Sequence, residues 1–295
     1  MKVQTTVILV AGVTAVSFAA IFIRMSTAPP LIISFYRMFF SVTLLAPLIL
    51  FRKDALTEFR KLTRKDLLLL LASGLFLSIH FAFWVTSLNH TSVASSVVLV
   101  TTQPLFIVAV ENFVLHKRPS RKLMGGLVVA GVGSILIGYG GFTISGFKLL
   151  GDAFALFGAA MAAGYFLIGG KVRKRIELFP YIFVVYGISA MFLLVYSLVA
   201  GLSIVAYSPS NYILFLLLAA IPTLIGHTSF NWLLSEVDAS LIGITILGEP
   251  IGSSILAILF FGEYPSFWTI IGGSLVLISI YFLWQNELLR RRSEA

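Results

Sequence analysis

The sequence predicts an all-α integral membrane protein: ten transmembrane helices, arranged as two inverted five-helix repeats, with both termini in the cytoplasm. Three observations predict it: apolar runs long enough to cross a bilayer, an uneven distribution of Lys and Arg among the loops, and a match between the two halves of the chain. Hydrophobic residues make up 59% of the 295, charged residues only 11%, and mean hydropathy is +1.01. A soluble domain carries roughly 25% charged residues. A chain this poor in charge cannot cover itself with polar surface, so its solvent is lipid.

A bilayer core takes ~20 mostly apolar helical residues. Runs of that kind cover 5–23, 29–50, 66–88, 93–115, 121–140, 151–170, 180–200, 211–231, 239–261 and 265–285. Each is about twice the ~10 residues of a barrel strand and does not alternate, which argues against strands. The first run has Lys2 ahead of it and Ala19-Ala20 near its end, the outline of a signal peptide. Its apolar stretch is longer than the ~7–15 residues of a signal core, and it has a counterpart in the sixth run, so it reads as a span.

The basic residues then orient the spans. With the N-terminus in the cytoplasm, that side receives Lys2, Arg52, Lys53, Arg60, Lys61, Arg64 and Lys65. It also receives Lys117, Arg118, Arg121, Lys122, Lys171, Arg173, Lys174 and Arg175, and finally Arg290, Arg291 and Arg292. Only Arg24 and Lys148 fall outside, and Arg37 lies within a span. An odd number of spans would scramble this asymmetry. Basic loops facing anionic lipid account for the net charge of +9 without a nucleic-acid partner. The absence of cysteine excludes disulfides, thiolate metal sites and cysteine nucleophiles.

The repeat is clearest between 93–119 and 239–265. Without a gap, Gln103-Pro104 falls on Glu249-Pro250, Pro119 on Pro265 and Gly126 on Gly272. The same offset puts Gly12 on Gly158, and one residue of slip puts His80 on His227. The two units run 5–140 and 151–285. Five spans per half is an odd number, so the second half enters the membrane inverted, the geometry used for alternating access.

Ionisable and helix-breaking residues inside spans mark the candidate site. Pro250 has no N–H and leaves the carbonyl of Ile246 without its helical donor; Pro104 does the same to Val100. Paired interruptions at matching places in two halves point to a binding site. Glu249 puts a carboxyl near the midplane, where charge costs ~3 kcal/mol or more. It must face the bundle interior, and it is suited to carry a proton there. Arg37 is a partner for Glu249 or for an anionic group of a substrate, and the first role competes with proton carriage. His80 and His227, repeat-related in oppositely running spans, are placed toward opposite halves of the membrane, as proton relays or as interhelical hydrogen bonders. Asn231 joins this set, and Trp84, Phe81, Phe83, Tyr165, Phe166, Phe230 and Trp232 are candidates for an apolar lining. Asp66 and Asp152 read as helix caps, and Gly248 and Gly252 as a close helix contact. No phosphate loop, H-E-x-x-H pair or nucleophile–base pair is present, so no enzyme, cofactor, metal site or ATP-driven pump is expected.

Three segments resemble the drug/metabolite transporter superfamily in its bacterial EamA-type branch. They are LIISFYR at 31–37, FAFWVTSLNHTSVASSVVLVTTQPLF at 81–106, and HTSFNWLLSEVDASLIGITILGEPIGSSILAILFFGE at 227–263. The resemblance covers nearly the whole chain as two repeats. It implies a ten-helix permease with a central cavity, lined by helices of the first, third and fourth type in each repeat. It implies secondary transport of metabolites, often export of amino acids or related compounds; more distant relatives exchange sugar phosphates or nucleotide sugars. The fourth span ends in Leu115-His116-Lys117 where the family often has Gly-Glu, while the ninth keeps Gly262-Glu263.

The expected function is therefore export of a small polar metabolite, an amino acid or related compound, across the cytoplasmic membrane. The expected partners are that substrate, the lipid bilayer, protons as a coupling ion, and a second copy in a homodimer. A passive channel is the alternative, and a scaffold or sensor without transport ranks below it, since no extramembrane domain is large enough to dock a partner.

Overall fold

The computed structural model describes residues 3–51, 53–116, 120–141, 146–262, 264 and 267–293. Lys2, Arg52, Lys117, Arg118, Pro119, Glu263 and Pro265, used above, lie outside the described residues. Among the described residues the chain is helical throughout, with no strand. The helices are α1 (Val3–Ser17), α2 (Ala19–Met25), α3 (Pro30–Phe51), α4 (Lys53–Arg60), α5 (Arg64–Ser87), α6 (Val93–Val100), α7 (Gln103–Phe113) and α8 (Arg121–Gly141). Then come α9 (Gly146–Val172), α10 (Leu178–Val199), α11 (Pro209–Leu218), a π-helical stretch Ala219–His227, α12 (Thr228–Leu233), α13 (Ala239–Ile246), α14 (Glu249–Phe261) and α15 (Phe267–Ser293).

Among the described residues, eight continuous or jointed helices are long and apolar enough to cross a membrane: Thr6–Met25, Pro30–Phe51, Arg64–Ser87, Val93–Phe113, Leu149–Val172, Leu178–Val199, Pro209–Leu233 and Ala239–Phe261. α8 and α15 contain shorter apolar stretches, Met124–Leu136 and Ile270–Ser279. This is a multi-pass helical membrane protein.

Local chemistry explains the ends and breaks. Thr63 opens α5 with a capping box. Its hydroxyl accepts from the Asp66 amide at 3.2 Å, and the Asp66 carboxylate accepts from the Thr63 amide at 3.1 Å. Asp66 also pairs with Arg175. Asp152, by contrast, is not a cap. α9 begins at Gly146, so Asp152 lies inside it, buried, and accepts from Thr91 Oγ1 and Ser95 Oγ, each at 2.8 Å. The carboxylate is held by the start of the fourth span instead of by its own helix. Gly262 ends α14 with φ +67°, a left-handed conformation suited to glycine.

α6 stops at Val100, turns through Thr101-Thr102, and restarts as α7 at Gln103; α13 stops at Ile246, turns through Leu247-Gly248, and restarts as α14 at Glu249. The amides of Thr102 and Gly248 close these turns on the carbonyls three residues back, at 3.2 and 3.1 Å. Each proline stands in the first turn of the new helix, where its missing N–H costs nothing.

The packing repeats under the offset that aligns Gln103 with Glu249. α5 lies on α9, and in the matching place α1 lies on the π stretch and α12. α8 packs on α15 and α3 on α10, each with its own counterpart. α6 meets α14 while α7 meets α13, so the two broken spans cross antiparallel at their breaks. At that crossing a Cβ on Gly252 would fall 2.1 Å from Ser17 Oγ, so only glycine lets α14 come this close to the first span.

Candidate functional site

A small, partly open cavity lies at the crossing of the broken spans. Arg37, His80, Trp84, Gln103, His227 and Glu249 all line it. So do Val100 and Ile246, whose carbonyls proline leaves without a helical donor. The cavity is small, ≈ 30 Å³ measured for the centre of a water-sized molecule. By that measure a water needs ~10–15 Å³, so this conformation leaves room for a couple of waters.

Arg37 is wholly buried. Its Nε donates to Thr223 Oγ1 at 2.7 Å, and its Cζ lies 4.2 Å from the centroid of the Phe81 ring, within cation–π range. Nη1 and Nη2 have no hydrogen-bond partner, and Arg37 makes no ion pair with Glu249. The two charges share the cavity without closing on each other. Trp84 Nε1 and His227 Nδ1 are likewise buried and unpartnered, so residues that line the cavity carry several buried polar atoms with no partner among the described residues. Buried polar groups are nearly always paired. Such a cluster of exceptions suits a ligand rich in acceptors.

The histidines come together: their rings lie 6.5 Å apart. His80 Nδ1 donates to the carbonyl of Gly158 at 3.0 Å, and its ring stacks on Trp84. Gly158 corresponds to Gly12, and the residue set against the Gly12 carbonyl is Gly226, whose added Cβ would sit 3.4 Å from it. His80 therefore corresponds to Gly226 and His227 to Phe81, with no slip. His227 is an addition of the second half, not the partner of His80.

The remaining candidates spread out. Pro250 is buried behind the lining. Pro104 faces a second small space with Leu127, Ala130, Ser134 and Leu247, away from the cavity. Asn231 is buried but does not reach the cavity. Its Nδ2 donates to the hydroxyls of Tyr165 at 2.5 Å and Tyr186 at 3.2 Å. Its backbone carbonyl accepts from Arg173 Nε at 2.9 Å, and burial holds that guanidinium below its ordinary pKa. Phe166 and Phe230 join Trp84 in the lining, while Phe83 packs on Phe154 and Phe157 elsewhere. Sequence reasoning missed Thr223 and the lining residues Val16, Ala19 and Thr101. The one available signal was Pro222-Thr223 in the middle of an apolar run.

The sequence matches the EamA-like transporter family twice, over residues 2–139 and 149–285. The chain belongs to the EamA-like transporter family. It is a membrane transporter. Among its relatives is an uncharacterized transporter of Archaeoglobus fulgidus, 24% identical over 269 residues, covering 90% of this chain and 91% of the relative. Another, from Clostridium kluyveri, is 26% identical over 239 residues, covering 77% and 75%. A protein crystal structure matches the fold with a TM-score of 0.77 over the whole of both chains, at 18% identity.

Proposed function

We propose that this EamA-family transporter is a secondary carrier that moves a small polar metabolite, an amino acid or related compound, out of the cell by alternating access. The observation that carries the reading is the joint placement of Arg37 and Glu249, unpaired with each other, in one cavity at the crossing of two proline-broken helices. An amino acid is complementary to that cavity. Its carboxylate meets the free Arg37 nitrogens and the Trp84 N–H; its ammonium meets Glu249 and the freed carbonyls of Val100 and Ile246. Glu249 is also the group placed to exchange a proton for substrate.

Two further features support the mechanism. The cavity is too small for any metabolite, so binding requires the helices to part. The packing of the two halves is exchanged by one offset, as expected of two inverted repeats that trade conformations. α8 and α15, of 21 and 27 residues, are long enough at ~1.5 Å per residue to span ~30 Å. Counted as spans, they would make ten, and the loop charges favour an orientation with both termini in the cytoplasm and the protein in the cytoplasmic membrane.

The test is counterflow of each radiolabelled proteinogenic amino acid in proteoliposomes, with and without an imposed pH gradient. Saturable uptake with trans-stimulation is expected. Non-saturable flux without trans-stimulation would identify a channel, and no flux of any amino acid would refute the substrate class. Coupled flux that survives Glu249→Gln removes the proton role. Cysteines introduced singly near the termini of this cysteine-free chain should react with impermeant reagents only from the cytoplasmic face.

A further inference from the structure

The span Pro209–Leu233 and α5 hold corresponding places in the two halves, yet only the former contains a π-helical stretch, Ala219–His227. A π turn is how a helix absorbs one extra residue, and such turns gather at functional sites. This one contains Pro222, and α5 contains no proline.

The proline sets off a short chain of hydrogen bonds. Pro222 has no N–H, so the carbonyl four residues back, that of Leu218, has no α-helical donor. The Thr223 hydroxyl donates to that carbonyl at 2.9 Å. A threonine in an α-helix returns its hydroxyl to the third or fourth carbonyl back; Thr223 reaches the fifth. Thr228 does the same, donating to the carbonyl of Thr223 at 3.2 Å. With its proton committed to Leu218, the Thr223 oxygen keeps lone pairs to accept with. One of them receives Arg37 Nε at 2.7 Å. Thr223 and Arg37 are both fully buried, so no water competes for this bond. The guanidinium is thus held at Nε by Thr223 and on one face by Phe81, while both outer nitrogens are buried without a hydrogen-bond partner in a residue that lines the cavity.

We propose that Thr223 is a positioning residue for substrate recognition: committed as a donor to Leu218 by the adjacent Pro222, it can only accept from Arg37, and so aims the guanidinium at the substrate. This rests on the reading of Arg37 as a substrate-binding group. A charge contributed by the first half is thereby aimed by a hydroxyl of the second. Relative motion of the halves that broke the bond would change the recognition group itself.

The experiment compares Thr223→Ser, which keeps the hydroxyl, with Thr223→Val, which keeps the shape and loses it. Both are made with and without Arg37→Gln in a background where Trp84 is the sole tryptophan (Trp232, Trp268 and Trp284 replaced by Phe). Arg37 Cζ lies 5.9 Å from the Trp84 ring, so Trp84 emission reports the guanidinium without any substrate. Thr223→Ser should match its parent in emission and in KM for the transported amino acid. Thr223→Val should shift the emission as Arg37→Gln does and raise KM about tenfold, the usual cost of orphaning one buried charged donor, with Vmax little changed. In the Arg37→Gln background it should do nothing more. Unchanged emission in a monodisperse Thr223→Val protein overturns the proposal, and so does an equal effect with and without Arg37. If the parent moves no amino acid, the substrate reading fails, and the emission comparison still decides the positioning.

Discussion

The fourth and ninth spans are the same device used twice, and at the break they differ where it matters most, Gln103 against Glu249. Both stop one turn before a proline, both restart at the residue preceding it, and they cross at the two breaks. At the crossing the fourth span contributes Gln103 and the ninth Glu249. The third and eighth spans repeat the lesson. His80 stands where the second half has Gly226, and His227 where the first has Phe81; the π stretch with Pro222 and Thr223 has no counterpart in α5. What the halves share builds the scaffold and its close contacts. What they do not share supplies every charged or titratable group of the cavity. In the proposed carrier, the symmetry provides two related conformations and its violations provide the chemistry.

The largest expected effect tests that division directly. Glu249→Ala should lower substrate flux in proteoliposomes by at least about 100-fold, ~2.7 kcal/mol of barrier, while Gln103→Ala should cost less than about tenfold. Equal losses would mean that the two spans contribute alike. The exchange Gln103→Glu with Glu249→Gln sharpens the point. It keeps the composition and relocates the charge, and it should not restore flux if the position of the carboxylate relative to Arg37 matters.

How much of this was legible in the sequence follows from where each determinant is encoded. The span positions were legible because lipid imposes one composition along a whole helix. Breaks such as Gln103-Pro104 were legible because proline acts on its own backbone. The convergence of Arg37, Gln103 and Glu249 could be anticipated, since polar groups in a span must face inward. Thr223 was invisible, because its role is created by a bond from another span. The pairing of His80 with His227 failed because like residues attract an aligner's eye, whereas the packing against Gly12 and Gly158 sets the true register. Asp152 looked like a cap only because the start of α9 was placed too late.

The next effects concern stability, and each is set against a substitution in the other half that should be silent. Gly252→Val places atoms where Ser17 already sits, 2.1 Å from the new Cβ. Such overpacking should cost about 1–3 kcal/mol in thermal melts. Gly125→Ala meets nothing within 4 Å. It should hold or raise the melting temperature, since Ala suits a helix better than Gly by about 0.5–1 kcal/mol. Asp152→Ala strips the acceptor from the hydroxyls of Thr91 and Ser95, at about 1–3 kcal/mol. The residue that corresponds to it, Thr6, is exposed, and Thr6→Ala should be neutral. A destabilised Thr6→Ala would show that the first span depends on a contact its counterpart does not need.

The smallest effect belongs at the start of α5, where Asp66 has two kinds of partner. Arg175, half exposed, forms an ion pair with it across to the turn after α9, and exposed pairs contribute at most about 1 kcal/mol. The cap is local. Asp66 accepts from the Thr63 amide at 3.1 Å and from its hydroxyl at 2.7 Å, whatever Arg175 does. Arg175→Ala should therefore lower stability by less than Asp66→Ala, which loses the cap as well, and high salt should shrink the first effect while leaving the rest of the second. If the two substitutions proved equal and equally salt-sensitive, the pair to Arg175, and not the capping box, would be what orders this end of the helix.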